Sequence, residues 1–157
     1  VLVEDLRPQA ADAAGRMDLL HALMHRVTSR MTYRVGATTV DASAAEALAR
    51  GAGVSQDFAH VFVACCRSLG IPARYASGCV NKDGLAHVSR LGHAWAEVHV
   101  PDLGWIGFDP ANGARATGEY LKLGIGLDYA EAVPVIGRRI GGGEAAMEVD
   151  VSVTRIG

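Results

Sequence analysis

The twenty residues from Gly51 to Gly70, GAGVSQDFAHVFVACCRSLG, limit what this chain can fold into more than any other stretch. A loop of small residues leads to Ser55, and from Phe58 onward apolar side chains recur at helical spacing: Phe58, Val61, Phe62, Cys65, Cys66 and Leu69. Ala59, Val63 and Ala64 widen that stripe almost all round, which predicts a central, buried helix. Gly70 supplies a left-handed cap, and Ile71-Pro72 prevents continuation. Ser55 stands at the helix start, in the positive end of the dipole and beside backbone N–H groups able to hold an oxyanion. Ser is also a preferred N-cap residue, so a nucleophile and an ordinary cap are both open from this stretch alone.

A chain of 157 residues, half of them hydrophobic, suits one domain over 1–157, and its first residue, Val1, suits a piece of a longer chain. The formal charge of −2, with Lys and Arg scattered, argues against a nucleic-acid partner. No apolar run approaches the ~20 residues that span a bilayer, and no signal pattern opens the chain; no membrane partner and a cytoplasmic location are expected. Cys65, Cys66 and Cys79 are odd in number, two of them adjacent, which suits reduced thiols. On the buried helix, Cys65 and Cys66 read as small hydrophobes.

Ahead of the central helix, Met17, Leu20, Leu23, Met24, Val27 and Met31 predict an amphipathic helix from Asp12 to about Met31. His21 and His25 lie four apart on it, without the further ligands a structural zinc site needs. Thr32 to Gly36 reads as a turn, and Ser43 with Glu46 forms a capping box for a short helix ending at Gly51. Gly51-Ala52-Gly53 lacks the preceding strand and third glycine of a dinucleotide loop.

Beyond the central helix the pattern turns to strands. Ala73 to Val80 is one, and Asn81-Lys82-Asp83-Gly84 is a turn. In the next, Ala94, Ala96, Val98 and Val100 alternate with His93, Trp95, Glu97 and His99. Pro101 to Gly104 turns it back into Trp105 to Asp109. Pro110 to about Pro134 reads as an irregular loop, Gly141-Gly142-Gly143 as a connector, and Met147 to Thr154 as a last strand with one wet face.

Ser55, His93 and Asp109 supply, in chain order, the nucleophile, proton shuttle and orienting carboxylate that acyl transfer needs. His93 and Asp109 sit toward the open end of one hairpin. If Val100 faced Trp105, Asp109 would fall opposite Ala96, and reaching His93 would need a bulge or a shifted pairing.

The segments GVSQDFAHVFVACCRSLGIPARYASG and GHAWAEVHVPDLGWIGFDPANG together resemble the transglutaminase-like superfamily in its bacterial form, whose members are often described as cysteine proteases. The family pattern is G-x-C-x-D-x-A before a helix, G-I-P-A-R after it, H-A-W-x-E on a strand and G-W-x-x-x-D-P at the end of the next. The likeness runs from about Tyr33 to the chain's end, and every element is present but one. It implies an α+β, papain-like fold, a transglutaminase core with a buried helix packed on an antiparallel sheet. It also implies a Cys-His-Asp triad carried onto Ser55, His93 and Asp109, with no cofactor, and a peptide, a protein or a small amide as substrate.

The departure is the nucleophile. A thiol beside an imidazole at a helix start can be held as thiolate, its pKa dropping from ~8.5 to ~3.5–7.5. An alcohol cannot ionise there, so little activity is expected with Ser55 in place. Two origins are open: a deliberate Cys→Ser change in an active enzyme, which the retained motifs favour, or a naturally inactive or Ser-using relative. The functional alternative is a catalytically dead module that binds a peptide or protein. Asp57, in the helix's first turn, reads as structural. Gln56 and Tyr33 are candidate oxyanion donors, and Trp95 and Trp105 candidate cleft-lining residues. No metal is expected: His87, His93 and His99 would be spread over about 20 Å of strand, and no acidic calcium loop is present.

Overall fold

In the computed structural model, the residues described are 2–6, 12–81 and 92–133. Helix α1 (Ala13–Arg30) opens where the Asp12 carboxylate accepts the Gly15 N–H at 2.9 Å, and it buries Leu20, Leu23, Met24 and Val27. The Ser43–Glu46 capping box starts α2 (Ala44–Arg50), and Gly51, at φ 64°, ends it. Thr32–Tyr33, expected as a turn, instead forms β1, a short strand pairing in parallel with β2 (Ala52–Gly53). The pairing draws the chain after α1 alongside the loop that leads to Ser55.

The central helix α3 runs Ser55–Ser68 and buries Phe58, Val61, Phe62 and Cys66 against α1 and the sheet. Ala64 is exposed, so one narrow stripe of α3 meets solvent where the sequence predicted an almost closed apolar surface. After it come β3 (Ala73–Val80), β4 (His93–Val100), β5 (Gly104–Asp109), β6 (Ala114–Arg115), β7 (Tyr120–Gly126) and the single-turn α4 (Tyr129–Ala132). The sheet is antiparallel throughout, in the order β6-β5-β4-β3-β7.

Strand β7 and α4 lie where the sequence read as irregular loop. Their signal was masked by glycine: a methyl on Gly124 would collide with the Ala132 carbonyl, and one on Gly126 with Glu131. These residues sacrifice strand propensity so that α4 can lie close against β7. The Ser77 hydroxyl donates to the Ala132 carbonyl and fastens α4 to β3. The expected turn at 82–84, His87, the triple glycine and the strand from Met147 to Thr154 lie outside the described residues.

The two faces of the sheet differ as alternation requires. Ala96, Val98, Val100 and Phe108 meet α1 and α3 in the core, while Trp95, Glu97 and His99 point the other way. On that second face Glu97 is nearly buried and accepts from Arg74 at 2.8 Å and from Lys122 at 2.7 Å, tying β3, β4 and β7 together.

Candidate active site

Ser55 is the first residue of α3, and the N-cap is Val54, so the serine is not the cap that its residue type suggested. Val has no side-chain acceptor, and Asp57 serves in its place. The Asp57 carboxylate accepts the Val54 N–H at 2.8 Å and the Thr38 hydroxyl at 2.6 Å, buried at the first turn where a negative charge is favoured. A methyl on Gly53 would run into that carboxylate, which explains the glycine two residues before Ser55. With Asp57 capping, the Ser55 side chain makes no cap hydrogen bond.

Alignment of the two flanking strands follows from the turn between them. Asp102 takes φ 61° and Gly104 φ 76°, and Val100 faces Gly104 instead of Trp105. That one-residue difference changes parity. Ala96 faces Phe108, so Asp109, one position further, shares the face of Trp95 and meets His93 diagonally without a bulge.

The resulting contact is short: His93 Nε2 lies 2.6 Å from Asp109 Oδ2. A carboxylate only accepts, so a proton sits on Nε2, and the neutral form of the imidazole carries its lone pair on Nδ1. Asp109 is fully buried, and the same Oδ2 also accepts from Asn112 Nδ2 at 2.6 Å and from the Tyr120 hydroxyl at 2.8 Å. Its Oδ1 accepts the backbone N–H groups of Ala111 and Asn112 at 3.1 and 3.2 Å. Burial by itself would raise the Asp109 pKa. The His93 bond and charge, with Asn112 and Tyr120, outweigh it and hold the carboxyl below its usual range. Burial, and then the bond to Asp109, push the Tyr120 hydroxyl upward.

Trp95, 2 % exposed, stacks against His93 with ring centroids 6.3 Å apart and meets Tyr120 edge-on at 5.3 Å. It forms a wall behind the imidazole more than an open cleft surface. Trp105 stands at the far end of the hairpin, opposite His99, with the Arg74 guanidinium 4.1 Å from its ring centre. Six residues of strand, about 20 Å, separate that position from His93, which places Trp105 outside the cluster.

Ala59, one turn after Ser55, shares a small buried cluster with Tyr75 and with Ala94, the residue next to His93. The start of α3 is thus brought to the start of β4. No hydrogen bond joins the Ser55 hydroxyl to His93 among the described residues. Gln56 is half-buried in the first turn, and Tyr33, 53 % exposed, stacks near Phe58 on the β1 strand beside Gly53. Both stand at the N-terminal end of α3. No group of His, Cys, Asp and Glu suited to a metal occurs among the described residues. Sequence reasoning missed Asn112 and Tyr120. Asn112 carried a faint signal, three residues beyond Asp109 in an Asp-Pro-Ala-Asn-Gly turn, whereas Tyr120 carried none.

The sequence profile of the Transglutaminase-like superfamily matches residues 4–110. An uncharacterized protein of Mycobacterium leprae is 36% identical over 132 residues, covering 82% of this chain and 47% of that protein. One from Mycobacterium tuberculosis is 35% identical over 146 residues, covering 87% and 46% respectively. The chain therefore spans about half the length of these relatives. Among solved structures, that of a "putative cysteine protease" from Cytophaga hutchinsonii aligns with a TM-score of 0.65 and 30% identity, over 74% of this chain and 38% of that one.

Proposed function

This chain belongs to the transglutaminase-like superfamily and has its papain-like α+β core, and from that premise we propose a site for acyl transfer centred on position 55. The observation that carries the reading is the 2.6 Å bond from His93 Nε2 to a fully buried Asp109, because it directs the basic Nδ1 away from the carboxylate. The nucleophile at position 55 attacks a carboxamide or peptide carbonyl, and its proton passes to His93 Nδ1. The oxyanion is met by N–H groups at the start of α3, with Gln56 and Tyr33 as further donors. Collapse expels the amine, which takes the proton from His93 and leaves an acyl-enzyme. Water or a second amine resolves it by the same steps in reverse. The substrate class is a peptide, a protein or a small amide.

Ser55 makes this chain a poor catalyst, since the imidazole and helix end that would hold a thiolate cannot ionise an alcohol beforehand. The missing Ser55–His93 hydrogen bond favours a second reading, in which the domain binds a peptide or protein without turnover.

The test is Ser55→Cys. The new thiol is expected to alkylate well below the ~8.5 of a free cysteine, and His93→Ala on that background to abolish the low-pH reactivity. Burial pushes the thiols of Cys65, Cys66 and Cys79 upward, so mass mapping should find them unreactive under the same conditions. A new thiol that titrates near ~8.5 and ignores His93 would leave the binding module as the better reading.

A further inference from the structure

Asp109 is held from both ends of the sheet. Its Oδ1 is fixed by its own turn, through the N–H groups of Ala111 and Asn112. Its Oδ2, the atom that meets His93, is reached by a side chain from elsewhere: Tyr120 comes from β7, separated from β5 by β3 and β4 in the sheet order. The Tyr120 ring lies over the sheet face that carries Trp95, packing edge-on against Trp95 at 5.3 Å and against His93 at 6.0 Å. The imidazole thus has Trp95 on one side, the Tyr120 edge on another, and on Nε2 a carboxylate oxygen that Tyr120 itself holds.

We propose that Tyr120 is a positioning residue: its hydroxyl fixes Asp109 Oδ2 and its ring closes the imidazole in, so that His93 presents only Nδ1 to position 55. The purpose of that positioning rests on the acyl-transfer reading, while the positioning itself is a property of His93 and Asp109. A carboxylate oxygen held by one mobile partner can swing out of line. Held by Asn112 Nδ2 at 2.6 Å and the Tyr120 hydroxyl at 2.8 Å, it has one orientation that also satisfies His93. Water reaching Oδ2 from the β7 side would compete for the same lone pairs, and the phenol ring occupies that approach. Because β7 is an edge strand among the described residues, the site's geometry becomes dependent on β7 being in place.

The experiment has two independent readouts. In the chain with Ser55, the His93 Nε2–H proton is expected as a slowly exchanging downfield NMR resonance. Tyr120→Phe, which keeps the ring, should speed its exchange several-fold, and Tyr120→Leu should abolish the signal. Backbone amide spectra of each variant show whether the fold is intact. If the resonance is indifferent to Tyr120→Phe in a folded protein, the positioning role is overturned, whatever the chemistry of position 55. In the Ser55→Cys background, Tyr120→Phe should lower the alkylation rate several-fold at low pH. It should leave the rate unchanged above the range where any free thiol ionises, a split that general loosening of the fold would not give. A parent Ser55→Cys thiol lacking low-pH reactivity counts against the acyl-transfer reading alone, and the NMR comparison still decides the role of Tyr120.

Discussion

A single buried carboxylate organises the site. Asp109 accepts five hydrogen bonds, three of them on the oxygen that faces His93, and its pKa is lowered even though its burial works the other way. A carboxyl that is more acidic folded than unfolded stabilises the native state above its unfolded pKa, ~3.9, and that stabilisation is lost as pH falls through the lower folded value. Asp109→Asn should therefore flatten the acid limb of a plot of unfolding free energy against pH below about 4, and should lower stability near neutrality by about 1–3 kcal/mol. Urea unfolding at a series of pH values checks both. An acid limb identical in parent and variant would mean that the Asp109 hydrogen bonds contribute nothing net to folding.

Hydrophobic periodicity does not reveal every contact between helices. One such contact joins α3 to α4: the Tyr129 N–H, at the first residue of α4, donates to His60 Nε2 at 3.1 Å, while the His60 ring lies 4.7 Å from that of the buried Tyr75. Burial lowers the His60 pKa, and Arg67 adds to this; Asp128 and Asp57 oppose it without prevailing. Protonation would also turn Nε2 from acceptor into donor, facing another donor. The folded state binds this proton less readily than the unfolded chain, so stability is full above ~6.5 and falls as pH drops from there toward the folded value. His60→Gln, whose amide oxygen can accept from Tyr129, should remove that part of the slope below about pH 6.5. The measurement is Tm against pH for parent and variant; parallel curves would contradict it.

Across the whole molecule, the second face of the sheet is held by charge. Glu97 on β4 binds Arg74 of β3 and Lys122 of β7, its side chain 10% exposed and theirs 26% and 42%. Partial exposure of the cations screens these pairs, so Glu97→Gln should cost about 1–2 kcal/mol in denaturant unfolding, less than a fully buried pair would. A loss under a few tenths of a kcal/mol would show the clasp to be ornamental. Much of the architecture follows from local pattern: the spans of α1, α3 and β3, the Ser43 capping box, and the core face of β4 are written in periodicity and caps, which act over a few residues. The linked motifs made Ser55, His93 and Asp109 candidates for the same reason, and the fold brings the last two together. Their arrangement was decided at longer range. The choice between Gly104 and Trp105 as the partner of Val100 is a matter of turn conformation, and only the folded hairpin puts Asp109 on the face of His93. Strand β7 and α4 were hidden by glycines whose value lies in close approach to another element. Tyr120 had no signature at all, because a residue on one sheet edge acquires its partner, 11 positions back in the chain, only once the two strands between them, β3 and β4, have been laid in register.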